Sequence, residues 1–171
     1  MPNVTAARSK VWFRRPAVSI SNKNRAVYEE KQVRICVIDG QGGGIGAALI
    51  RRLKEVYREE HVVIALGTNE VATSQMMKAR ANRGASGENA IVQTVPTADV
   101  ILGSLSIIVA NAMMGEVTPR IAEAVASAPA LKILLPLPRT GVEIVGVIPE
   151  PLPHMVEKVV SKRLKELLEN V

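Results

Sequence analysis

Short apolar runs alternate along this chain with longer stretches in which apolar residues recur every three or four positions. The runs, about six residues long and rich in Val and Ile, predict strands buried on both faces; the longer stretches predict amphipathic helices. Residues 33–38 (Val33-Arg34-Ile35-Cys36-Val37-Ile38) form the first predicted strand. A helix follows over 45–58, with Ile45, Leu49, Leu53 and Val56 inward and Arg51, Arg52, Lys54 and Glu55 outward. Residues 61–66 predict a second strand, and 71–82 a second helix with Asn69 as N-cap and Gly84 closing it in a left-handed conformation. Strands are expected at 90–95, 99–103, Leu131–Leu135 and 143–147. Helices are expected at 104–114, from Thr118-Pro119 to Ser127, and at 154–169, the last with Val156, Val160, Leu164 and Leu167 inward. In the helix over 104–114, Met113 and Met114 are expected to fill core, and Asn111, if buried, needs a partner.

This alternation predicts an α/β fold: a doubly wound, mostly parallel sheet with helices on both faces, Rossmann-like, in a single domain over residues 32–171. In such a sheet the loops after the strands gather on one edge, where ligands bind. That brings together Asp39, Gln41, Thr68, Asn69, Ser104, Ser106, Arg139 and Thr140. The polar loop over 84–89 is expected at the opposite edge.

The most informative stretch is Asp39-Gly40-Gln41-Gly42-Gly43-Gly44-Ile45-Gly46, between the first strand and the first helix. Glycine permits a sharp turn and lets backbone approach a ligand without a Cβ in the way, while free N–H groups at the following helix start favour a phosphate. These eight residues, with Thr68, Asn69 and Ser104, are the candidate ligand-binding residues. Gly42-x-Gly44-x-x-Ala47 fits one dinucleotide pattern. Gly40-x-x-x-Gly44-x-Gly46 resembles the cofactor loop of the short-chain dehydrogenase/reductases. The rest of that resemblance is missing: the positions four after Tyr28 and Tyr57 are Gln32 and His61, not lysine. The acidic residue that would meet ribose hydroxyls at the end of the second strand is also absent; only Glu70 lies near, and it comes late. No G-x-x-x-x-G-K-[ST], zinc pattern or G-x-S-x-G occurs, and no Ser-His-Asp order is recognisable. No metal is expected.

Composition adds little to this. The chain is 47% hydrophobic but only 2% aromatic, so the core must be aliphatic. The net charge of +6 is uneven: residues 1–31 carry seven Lys/Arg against Glu29 and Glu30, and the remainder 15 against 14. The basic segment, read as a disordered extension outside the domain, is where any nucleic-acid contact would lie, beside Trp12 and Phe13. Cys36, alone, is read as core, which fits a reducing cytoplasmic setting. No apolar run approaches the ~20 residues needed to span a membrane.

The body also resembles a short bacterial family of unknown function, domain of unknown function 3842. The resemblance rests on Val37 to Gly46, on Ala65-Leu66-Gly67-Thr68-Asn69 with Ala72-Thr73-Ser74, on Gly84-Ala85-Ser86-Gly87-Glu88-Asn89-Ala90, and on Gly115-Glu116-Val117-Thr118-Pro119. It implies a small self-contained Rossmann-like protein and brings no assigned activity. Three readings follow. The first is a module binding a phosphate-bearing ligand, a nucleotide or dinucleotide such as NAD(P), in a sensing or accessory role. The second is a small enzyme using that ligand, with Asp39, Ser104 or Glu88 as polar groups. The third is a structural or interaction protein with a vestigial glycine loop. Homo-oligomerisation stays open in all three.

Overall fold

The computed structural model describes residues 32–137 and 142–169. Five strands form one all-parallel sheet in the order β3-β2-β1-β4-β5: β1 (Arg34–Asp39), β2 (Val62–Gly67), β3 (Arg83–Ser86), β4 (Val100–Ser104) and β5 (Leu131–Leu135). Between them run α1 (Gly44–Tyr57), α2 (Glu70–Lys78), α3 (Glu88–Thr94) and α4 (Pro119–Ser127). After β5, α5 (Leu152–Glu157) passes through a π-helical stretch (Lys158–Leu164) into α6 (Lys165–Glu169). The expected Rossmann-like, doubly wound sheet is therefore present.

Successive side chains of a strand point to opposite faces, so each central strand feeds two cores. Ile35 and Val37 of β1, with Val100 and Leu102 of β4, pack under α1, α2 and the C-terminal helix. Cys36, Ile38 and Ile101 pack under α3 and α4. Cys36 is fully buried, as expected, and burial pushes its thiol up to about 11, so it stays protonated and inert at neutral pH. Among the described residues, no helix is long and apolar enough to cross a membrane.

The helix starts follow the expected chemistry. Asn69 caps α2 by accepting from the Ala72 N–H at 2.8 Å, and Thr118 caps α4 by accepting from the Ile121 N–H at 3.2 Å. Lys54 departs from expectation: it is buried, because Glu59 and the Asn82 side-chain carbonyl receive its ammonium at 2.7 and 2.9 Å.

The larger corrections lie outside the first βαβ unit. The edge strand β3 falls on Arg83–Ser86, inside what reads as a polar loop. Gly84 therefore does not close α2; Arg80, at φ 77, is the left-handed residue after that helix. Because β3 is parallel, Gly87 and Glu88 lie on the same sheet edge as the glycine loop, not the opposite one. The stretch 90–95 is helical: Ile91 and Val95, four apart, both reach the core from α3 and the turn after it. The stretch 104–114 holds only a 3₁₀ turn (Leu105–Ile108), after which the chain folds into a tight turn. Asn111 is exposed there and Met114 is 94% exposed, so neither belongs to a buried helix. Residues 143–147 form no strand; Val145 is 94% exposed and no sheet neighbour receives it.

Candidate ligand site at the carboxyl edge of the sheet

The glycine loop leaves β1 at Asp39, which is only 3% exposed. Its carboxylate turns back on the loop, accepting from the Gly40 N–H at 2.8 Å and the Gly46 N–H at 2.7 Å, and the nearby Ile45 N–H also favours its charged form. Asp39 thus caps α1 from outside the helix. The expectation of free N–H groups at this helix start is corrected to that extent: Ile45 and Gly46 are already engaged by an internal anion. Burial pushes the Asp39 carboxyl above its usual range, the backbone donors oppose the rise, and the negative charge of Glu116 adds to it.

Packing accounts for three of the five loop glycines. Gly43 sits at φ 69, and a Cβ there would lie 2.6 Å from the Ala72 carbonyl oxygen. At Gly46 a Cβ would strike Met76 and crowd Asp39. A Cβ on Gly40 would lie 2.6 Å from Met113 Sδ and Thr68 Oγ1 and 2.8 Å from Glu116 Oε2. Gly42 and Gly44 differ: both are exposed, and a Cβ on either would meet nothing within 4 Å. Their N–H groups take no part in the bonds that hold the loop. Among the described residues, nothing requires glycine at these two positions.

The residue that sequence reasoning missed is Glu116. Its Oε2 accepts from the Gln41 N–H at 2.7 Å, the Thr68 hydroxyl at 2.5 Å and the Asn69 side-chain amide at 2.9 Å. The same Asn69 amide donates to the Gln41 carbonyl at 3.1 Å, tying the loop to the start of α2. Burial raises the Glu116 carboxyl, but the donors from Thr68, Gln41 and Asn69 together outweigh it and hold the group below its usual range. A turn closed by an antiparallel bridge between Ala112 and Val117 delivers Glu116. In that turn Met113, Met114 and Gly115 all have positive φ, at 54°, 59° and 91°, and Asn111 precedes them at 62°. A left-handed conformation is uncommon for methionine. The sequence carried two signals: Glu116 lies in the Gly115-Glu116-Val117-Thr118-Pro119 stretch of the family resemblance, and it stands two residues before the cap of α4, on a connection that starts from the carboxyl end of β4.

The structure thus brings Asp39, Gln41, Thr68 and Asn69 together around the loop. Ser104 belongs to the same region. Gly103 pairs with Ile38, so Ser104 stands one position beyond, level with Asp39 and on the same sheet face. It is 2% exposed, and among the described residues its hydroxyl has no hydrogen-bond partner. Ser106 lies further along, in an apolar groove of about 280 Å³ lined by Leu105, Val109, Pro136, Val142 and Ile144. Arg139 and Thr140 lie outside the described residues. Glu88 is engaged by the Thr118 hydroxyl at 2.6 Å and by Arg120 at 3.1 Å, which together hold its carboxyl below the usual range. On the other side of the glycine loop, Gly42 shares a cleft of about 290 Å³ with Glu70, Val71, Ser74, Gln75 and Lys78 of α2. Among the described residues, no group of three or more His, Cys, Asp or Glu is placed to hold a metal ion.

Fold and loop together define an α/β protein of the Rossmann-like class with a glycine turn at the end of its central strand. The chain belongs to the family described as a domain of unknown function (DUF3842), whose model matches residues 34–168. No curated protein and no solved structure matches it.

Proposed function

We propose that the protein binds a phosphate-bearing small molecule, a nucleotide or dinucleotide, at the glycine loop, in a sensing or accessory role. The observation that carries this reading is the contrast within the loop. Gly40, Gly43 and Gly46 are demanded by packing, whereas Gly42 and Gly44 are open, with N–H groups outside the loop's own bonds. Glycine where the fold does not need it fits a backbone that something else approaches closely. The cleft beside Gly42 adds the Ser74 hydroxyl, the Gln75 amide and the Lys78 ammonium, donors suited to phosphate oxygens. The Ser104 hydroxyl, unpartnered among the described residues, supports a ligand at this edge, since a buried hydroxyl without a partner carries a desolvation cost.

The internal carboxylates favour a second reading. Asp39 and Glu116 already fill much of the loop's donor capacity, as a purely structural turn would have it. Thermal unfolding with a panel of nucleotides, dinucleotides and inorganic pyrophosphate separates the two. A ligand at ~100 times its dissociation constant adds ~2.7 kcal/mol of stability. For a chain of this size that is a rise of roughly 5–10 °C in Tm. The binding reading expects such a rise with at least one phosphate compound. A flat response across the panel supports the structural reading.

A further inference from the structure

We infer that Glu116 is the group that receives the vicinal hydroxyls of a ribose, or of a similar diol, on the phosphate-bearing ligand. The inference rests on the proposed binding at the glycine loop and names a specificity determinant within it. Nucleotide-binding sheets of this type meet ribose hydroxyls with an acidic side chain at the end of the second strand. β2 ends at Gly67 with no acidic residue at Thr68 or Asn69, and Glu70 lies in the cleft on the α2 side. The carboxylate of Glu116 fills that vacancy from another part of the chain: Thr68 and Asn69, the two residues after β2, both donate to it.

The chemistry suits the task. A carboxylate has about four acceptor sites over its two oxygens, so a single free oxygen can take the two donors that a diol offers. Oε2 is fixed by three donors, which sets the orientation of the group. Oε1 appears in none of these bonds and is not among the buried atoms left unpartnered, so it is open to an incoming hydroxyl. The spacing suits it too. Glu116 holds the Gln41 N–H, and the next residue, Gly42, opens onto the phosphate cleft; consecutive Cα atoms lie ~3.8 Å apart. A ribose and its 5′-phosphate are likewise neighbouring parts of one nucleotide. The same negative charge would repel a phosphate on the 2′-position.

Calorimetric titration of the full chain with ADP, 2′,3′-dideoxy-ADP, adenosine 2′,5′-bisphosphate and inorganic pyrophosphate tests this. We expect ADP to bind about tenfold or more tightly than the dideoxy analogue, the scale of one hydrogen bond to a charged group. We expect the 2′-phosphate to be rejected. In Glu116→Gln, whose side chain still offers an oxygen to Gln41, Thr68 and Asn69, the preference for the hydroxyls should shrink towards one and the 2′-phosphate should be tolerated. The wild-type comparison needs no variant, and a melting curve shows whether Glu116→Gln is folded. Equal binding of ADP and its dideoxy analogue overturns the inference while leaving the phosphate reading intact. Tighter binding of ADP and pyrophosphate alike by Glu116→Gln overturns it too, because the carboxylate would then occupy the phosphate's own place. Absence of binding by every probe removes both readings.

Discussion

Gly43→Ala is expected to lower stability by about 3 kcal/mol, a figure built from two independent costs. A left-handed backbone disfavours any L side chain by roughly 1–2 kcal/mol, and forcing atoms into a packed site costs typically 1–3 kcal/mol. Gly43 incurs both: φ is 69°, and the new Cβ would lie 2.6 Å from the Ala72 oxygen and 2.7 Å from its Cα. Those atoms are helix backbone at the start of α2, so relief would require α2 to move away from the loop. Asn69, which caps α2 and also holds Gln41 and Glu116, would move with it. Thermal denaturation should show Tm lower by roughly 6–12 °C. An unchanged Tm would mean that the loop relaxes without disturbing α2, and that the contact with Ala72 does not fix its shape.

Gly44→Val is expected to do the opposite: leave the fold intact and weaken ligand binding sharply. Gly44 is the first residue of α1, and a Cβ built on it meets nothing within 4 Å. Valine there should change Tm by no more than about 2 °C, the range of a typical surface substitution. Its two methyl groups would instead occupy the open space in front of the loop. Loss of backbone hydrogen bonds to a charged phosphate costs ~1.5–3 kcal/mol each, so affinity should fall by about 10- to 100-fold. Calorimetric titration with whichever nucleotide stabilises the wild type reads this directly. A folded Gly44→Val protein with undiminished affinity would place the ligand elsewhere.

The first βαβ unit is legible in the sequence because local and tertiary signals agree there. The run ending at Ile38, the glycines and the stripe of Leu49 and Leu53 point to the same strand, turn and helix. Caps are legible for a similar reason: Asn69 and Thr118 act on N–H groups three residues away, so their chemistry is local. The edge strand was not legible. Arg83-Gly84-Ala85-Ser86 has no β-branched residue and is a strand only because β2 offers its free side. The reverse error falls on 90–95, whose Ile91, Val92 and Val95 have strand propensity. The helix wins because Ile91 and Val95 meet the core at helical spacing, and tertiary packing overrides propensity. Residues 143–147 carry the same apolar signal, but no sheet edge receives them.

The candidate site was half legible for the same physical reason. Asp39, Gln41, Thr68 and Asn69 stand at the ends of strands, and parallel winding alone brings strand ends together. What winding does not supply is the direction of a connection. Reading 104–114 as a helix left Glu116 in a linker, whereas the turn with Met113 and Met114 in left-handed conformations folds it back over Gly40. Nor does glycine spacing show which glycines are structural. Only packing separates Gly43, pressed against Ala72, from Gly44, which faces open space.

On the proposed function, the carboxyl edge at the glycine loop receives a phosphate-bearing ligand. Amide chemical-shift mapping of the nitrogen-15-labelled full chain, titrated with ADP and with inorganic pyrophosphate, tests it most directly. The largest changes are expected on the amides of Gly42 and Gly44, with Gln41, Thr68, Ser74 and Lys78 around them. Changes centred instead on Leu105, Val109 and Ile144, around the apolar groove beyond β4 and β5, or no change at any concentration, would contradict it.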